Sequence, residues 1–190
     1  MDLTAALVQP NEAVQTFTTE PHDTLYPPVW GEDGLMRPEV AQRLREVVLE
    51  ALGAKPSAAH LLRFWVEGSG ASFNWNEGGD LDVQVWVALD TPLGTTVAVR
   101  EGLEKLRGKT LEDFGLEGRM GVQFFAKAGD GTDEENLASN AYALYDMDHA
   151  RWLTFPVPQT PAMYRERFER VRLAAGTWAD QADEAISDYE

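Results

Sequence analysis

The sequence predicts an α/β protein of the α+β kind, a mixed β-sheet backed by helices. Three observations carry this expectation. Apolar residues recur at helical spacing from Pro38 to Gly53, short apolar runs lie at 61–66, 81–89 and 119–127, and a second helical pattern sits between the last two runs. Helix, strand, strand, helix, strand implies a sheet with helices on one side.

Residues 1–37 carry Pro10, Pro21, Pro27, Pro28, Gly31 and Gly34 without a sustained period. An irregular N-terminal arm is expected there, anchored by Leu25, Tyr26, Val29 and Trp30. Pro38 stands where a first helical residue would, since its missing N–H has no partner to lose at that position. Val40, Leu44, Val47 and Ala51 then follow on one face up to Gly53. Leu61 to Val66 reads as the first strand, ending at Glu67-Gly68-Ser69. Leu81 to Leu89 reads as the second, closed by Asp90-Thr91-Pro92. Thr95 or Thr96 caps a helix that runs to about Arg107, with Val99, Leu103 and Leu106 on one face and Gly108 as its stop. Residues 119–127 read as the third strand. The polar, Gly/Asp-rich stretch 128–137 reads as a loop, Ala141 to Tyr145 as a short strand, and Trp152 to Pro158 as an extended segment. From Pro161, Tyr164, Phe168, Val171, Ala175, Trp178 and Ala182 recur at three- and four-residue steps, the pattern of a long helix. The chain thus divides into an arm (1–37), a domain (38–158) and a C-terminal helical extension (159–190) that covers the sheet or forms a dimer surface.

The 190 residues, 44% of them hydrophobic, are enough for a packed core. With 32 acidic against 16 basic residues the net charge is −16, which repels nucleic acid in general, so RNA or DNA would have to be met at a local basic patch. A small nucleotide with its metal, or a basic protein partner, suits this charge better. The absence of Cys excludes disulfides and thiolate metal sites. Met1 to Pro10 lacks a signal-peptide pattern and no apolar segment reaches membrane length, so a soluble, cytoplasmic protein is expected.

Two stretches point to chemistry. Gly68-Ser69-Gly70-Ala71-Ser72 is a Gly/Ser turn that offers backbone N–H groups and hydroxyls to a phosphate. Asp80-Leu81-Asp82-Val83 opens a strand, so both carboxylates project from one face and repel unless a cation lies between them. A hard divalent ion, Mg²⁺ or Mn²⁺, fits such oxygen ligands and recruits nucleotide phosphates. An Asp-x-Asp after Gly78-Gly79 also reads as ordinary strand-end acids.

Lys127, four positions after Gln123 on the same strand face, reads either as a phosphate contact or as a solvated strand-end lysine. Arg100, Lys105, Arg107 and Lys109 form the one local basic cluster; with Glu101 and Glu104 interspersed they also read as a solvated helix face. Phe73 and Trp75 would stack on a base or pack beneath the site loop. His22, His60 and His149 lack ligand spacing, which argues against zinc.

A Gly-Ser turn followed by Asp-hydrophobic-Asp-hydrophobic resembles the signature of the polymerase-beta-type nucleotidyltransferase superfamily. More narrowly, the chain is similar to small phage-encoded predicted nucleotidyltransferases over roughly residues 38–158. The resemblance rests on Ser72-Phe73-Asn74-Trp75-Asn76 before the Asp pair, then Val122-Gln123-Phe124-Phe125, Ala141-Tyr142-Ala143-Leu144 and Trp152 to Pro156 after it. It implies a nucleotidyltransferase-type fold, with metal held by Asp80 and Asp82 and nucleotide held by Gly68, Ser69, Ser72 and Lys127. A third metal carboxylate is usual in the superfamily, and its place falls on Gln123, an amide that brings no charge; either Asp113, Glu117 or another acid replaces it, or the site has lost full activity. The implied activity is metal-dependent transfer of a nucleoside monophosphate from a nucleoside triphosphate to a hydroxyl of RNA, protein or a small molecule, inside a cell, an infected host cell included. The alternatives are a catalytically impaired, nucleotidyltransferase-like phage scaffold whose acidic surface binds a basic protein, and an acidic mimic of nucleic acid; the partner expected beside the nucleotide is a second copy of the chain or a basic protein.

Overall fold

The computed structural model describes residues 21–88, 96–139 and 143–158, with 160, 162, 163 and 166 beyond them. The arm before residue 21 and most of the expected C-terminal helix at 159–190 therefore lie outside the described residues, as do Leu89, the Asp90-Thr91-Pro92 closure and Thr95. Residues His22–Pro158 pack as one compact unit.

Helix α1 (Pro38–Leu52) has Pro at its start and Glu39 in its first turn, where the helix dipole favours an acid. It closes with Gly53 N–H donating to Glu50 O and Ala54 N–H to Leu49 O, which satisfies carbonyls the helix leaves open. Strands β1 (Leu62–Glu67) and β2 (Asp80–Val87) are antiparallel neighbours. Helix α2 (Thr96–Leu103) carries the chain across to β3 (Gly121–Ala128), which lies parallel to β2. Helix α3 (Asp133–Ser139), β4 (Leu144–Asp146) and β5 (Arg151–Thr154) follow. The five strands form a mixed sheet in the order β3-β2-β1-β4-β5. The expected mixed sheet with helices is found.

One face of the sheet carries Phe64 and Val66 from β1 and Leu81, Val83 and Val85 from β2. These join Leu44, Val47 and Val48 of α1 and Val99 and Leu103 of α2 in the main core. Burying several such side chains, at about 1.5–3 kcal/mol each, makes this face the principal source of stability. The opposite face is divided. At one end Trp65, Trp86 and Leu144 form a small apolar cluster, with the Trp65 indole N–H donating to Gly131 O at 3.2 Å. At the other end the strand termini are polar and carry the candidate site.

The arm is irregular where it is described, and its anchors Leu25, Tyr26, Val29 and Trp30 are all buried. Trp30 donates its indole N–H to Gly70 O at 2.9 Å and stacks on Trp152 with centroids 4.8 Å apart. It thereby ties the Gly/Ser turn to the far edge of the sheet.

One expectation fails: part of the polar 128–137 stretch is helical. Thr132 Oγ1 accepts the Glu135 N–H at 3.3 Å and Glu135 Oε2 accepts the Thr132 N–H at 2.8 Å, a reciprocal cap that starts α3. Thr132-Asp133-Glu134-Glu135 has the spacing of such a cap, hidden by Gly and Asp around it. Of the short strand expected from Ala141 to Tyr145, Leu144 and Tyr145 lie in β4, and Ala141 and Tyr142 fall outside the described residues.

Candidate functional site

Antiparallel pairing sets Glu67, the last residue of β1, opposite Asp82, and parallel pairing sets Gln123 of β3 on the other side of the same residue. Cα partners share a sheet face, so Glu67, Asp82 and Gln123 project together, with Asp80 two positions along. Asp80 and Asp82 are half-buried, as is Glu67, and Gln123 is exposed.

Two glycines make room for the carboxylates. A Cβ at Gly68 would collide with Asp82 Oδ2, and one at Gly121 would collide with Asp80 Oδ1. Gly68 also has φ 80 and ψ −164, a conformation essentially reserved for glycine. Replacing it should displace Asp82 and strain the turn. Gly68→Ala is expected to lower unfolding stability by about 1–3 kcal/mol, read from a urea midpoint, and an unchanged midpoint would contradict this packing.

Ser69 is exposed, with its hydroxyl donating to Asp80 O at 3.4 Å. Ala71 N–H donates to Gly68 O and Ser72 N–H to Ser69 O, which closes a single 3₁₀ turn. Ser72 is buried: its hydroxyl donates to Ser69 O at 2.8 Å and accepts the Asn74 N–H at 3.1 Å. It braces the turn from inside, so among the expected nucleotide contacts Gly68 lies against the Asp82 carboxylate, Ser69 is exposed beside the Asp80 backbone, and Ser72 points inward. Phe73 and Trp75 also serve packing. Trp75 stacks on His22 at 3.8 Å and donates to Thr24 O at 2.9 Å, and Phe73 meets Phe155 edge-on.

Electrostatically the site is frustrated. Burial, reinforced by the charges of Glu67 and Asp80, pushes the Asp82 carboxyl up to about 6. Glu67 is fixed as an acceptor: Trp86 Nε1 donates to Gln84 Oε1 at 2.7 Å, and Gln84 Nε2 donates to Glu67 Oε2 at 2.7 Å. Gln84 is 1% exposed, so this relay is part of the packed sheet. Gln123 donates from Nε2 to Asp80 Oδ2, holding that carboxylate in place.

Asp113 is occupied in its own turn, accepting from the Thr110 N–H at 2.9 Å, which holds its carboxyl below the usual range. The acid that register brings to the pair is Glu67. Nothing in the linear order singles it out, although it is the residue immediately before the Gly/Ser turn. Lys127 pairs with Trp86, four positions along β3 from Gln123, roughly 13 Å away at strand rise. It shares the face with the carboxylates but lies beyond their immediate surroundings.

The basic cluster divides. Lys105 turns away to donate to Ala51 O at 2.9 Å, whereas Arg100, Arg107 and Lys109 line a cleft of about 500 Å³ whose wall includes Asp80 and Gln123. No family model, curated protein or solved structure matches this chain. What the site can do follows from its own chemistry.

That chemistry suits a hard divalent cation. Magnesium is commonly held by one or two carboxylates plus substrate phosphates, and Asp80 and Asp82 supply two whose mutual repulsion a cation would relieve. Among the described residues no three Asp, Glu or His side chains converge into a complete protein cage. No helix among them is long and apolar enough to cross a membrane. His60 and His149 are engaged locally, by Ser57 O at 2.7 Å and Asp146 Oδ2 at 2.6 Å.

Proposed function

We propose that the chain is a metal-dependent nucleotidyltransferase with a nucleotidyltransferase-type sheet. The reading rests above all on the Asp80 and Asp82 pair, set against the Gly68-Ser69 turn with Asp82 pushed up to about 6. Asp80 and Asp82 would hold Mg²⁺ or Mn²⁺, which when bound offsets the charge of the phosphates and of the departing diphosphate. Ser69 and the adjoining backbone hold the β- and γ-phosphates. Gln123 keeps the Asp80 carboxylate oriented, and Glu67 helps to set the pH above which Asp82 is ionised. In the reaction the acceptor hydroxyl gives up its proton to water as its oxygen attacks the α-phosphorus, and the bond from that phosphorus to the bridging oxygen breaks to release diphosphate. Alignment and charge stabilisation supply the rate, and no covalent intermediate with the protein is needed.

Calorimetric titration with nucleoside triphosphates and Mg²⁺ tests this directly. Saturable binding that disappears in Asp80→Asn is expected; wild-type protein that takes up no triphosphate at pH 8 would remove the reading.

One observation favours a second reading. Gln123 occupies an Asp80 oxygen where the superfamily would place a third carboxylate. A catalytically impaired scaffold that uses the acidic surface to bind a basic protein would keep the fold, bind no triphosphate, and be insensitive to Asp80→Asn.

A further inference from the structure

The acceptor in the proposed reaction is unspecified, and the sheet order bears on it. β2, which carries Asp80 and Asp82, lies between β1, which ends in the Gly68-Ser69 turn, and β3, the outermost strand. The carboxylates thus have the phosphate-binding turn on one side and the cleft along β3 on the other. Two substrates meeting at Asp80 from opposite sides is the arrangement that a transfer reaction needs.

The cleft is cationic in an otherwise acidic chain. Arg100, Arg107 and Lys109 line it against Asp80 and Glu104. Arg100 makes no ion pair among the described residues. Arg107 lies 3.6 Å from Glu104 and Lys109 lies 3.5 Å from Asp113; all four side chains are well exposed, and such surface pairs contribute little and yield readily to a phosphate. Phe125, two residues beyond Gln123 on the same strand face, is 40% exposed and is among the residues that line the cleft. Cations along a groove with an exposed aromatic are the elements that hold single-stranded nucleic acid, phosphates on the cations and a base on the ring. The net charge of −16 does not forbid this, because at physiological ionic strength charges beyond about 8 Å are largely screened.

We propose that this cleft binds the end of a single-stranded nucleic acid, the acceptor of nucleotidyl transfer, with its phosphodiesters on Arg100, Arg107 and Lys109 and its terminal hydroxyl directed to Asp80. The proposal rests on the nucleotidyltransferase reading, and the two are separable by experiment. Fluorescence anisotropy with a short fluorescein-labelled oligouridylate reads the strand site, and calorimetry with nucleoside triphosphate and Mg²⁺ reads the other. Three phosphate contacts to a single strand predict an affinity that falls about 20-fold between 50 and 200 mM salt. Combining Arg100→Ala, Arg107→Ala and Lys109→Ala, all at exposed positions, should weaken oligonucleotide binding at least about 10-fold and flatten the salt dependence, with triphosphate binding unchanged. Absence of oligonucleotide binding by the wild type at low salt, or wild-type affinity in the triple variant, overturns the proposal. Loss of triphosphate binding in that variant overturns it too, because the cleft would then belong to the triphosphate. A wild type that binds the strand through these cations but binds no triphosphate keeps the strand site and removes the transferase reading instead.

Discussion

Asp82→Asn is expected to abolish nucleotidyl transfer, by about 10³-fold or more, and at the same time to make the protein more stable at neutral pH. The two effects have one cause. Asp82 is half-buried beside two other carboxylates, so its carboxyl, pushed up to about 6 from an ordinary 3.8, is ionised in the native state at a cost. An acid whose native value is raised binds its proton more tightly folded than unfolded. Its contribution to stability is therefore most favourable below pH 4, declines as pH rises from about 4 to 6, and stays at the lower level above that window. The shift corresponds to at most about 3 kcal/mol, and residual solvent access reduces this to about 1–2 kcal/mol. The amide introduced by Asp82→Asn carries no charge to bury. The variant should melt about 3–8 °C above wild type at pH 7.5 and level with it at pH 4, in the absence of divalent ions. Adding Mg²⁺ should raise the wild-type melting temperature at pH 7.5 and leave the variant unmoved. Equal melting temperatures at both pH values would mean that Asp82 is not held in a costly charged state.

How far this site is legible in the sequence depends on which physical quantity places each residue. Strand periodicity puts Asp80 and Asp82 on one face, and the pairing confirms that they share it. Periodicity assigns a face but no distance, which is why Lys127 shares the face of Gln123 yet lies beside Trp86. Register between strands is set by the turn and the packing of the core, neither of which linear order encodes. Glu67 therefore emerges as the neighbour of Asp82 only once β1 and β2 are paired. Burial is likewise a property of the assembled sheet. Ser72 carries the hydroxyl a phosphate would want, but the turn directs it inward to Ser69 and Asn74. The basic cluster between 100 and 109 reads as one patch in sequence, yet the end of α1 captures Lys105 and leaves the other three at the cleft.

Gln123→Glu separates an adapted site from a decayed one. The Gln123 amide donates to Asp80 Oδ2, so an isosteric carboxylate at the same place would put two acceptors face to face. Like charges at about 4 Å repel by up to about 4 kcal/mol at an effective dielectric constant near 20, and relaxation of the new, exposed side chain reduces this to about 1–3 kcal/mol. The repulsion is relieved when the new carboxyl takes up a proton. Without divalent ions the variant should lose about 1–3 kcal/mol of unfolding stability relative to wild type as pH rises from 5 to 8, measured by urea denaturation at each pH. With Mg²⁺ the order should reverse, because the new carboxylate then joins Asp80 and Asp82 around one cation and the ion stabilises the variant more than the wild type. If transfer also rises, Gln123 is the point at which the site has lost activity. If Mg²⁺ affinity rises while transfer falls, the amide is needed to orient Asp80, and the present site is adapted to two carboxylates plus the phosphates of its substrate. A variant with no greater response to Mg²⁺ than wild type would show that Gln123 does not face the ion, and the correspondence with the superfamily's third position would fail.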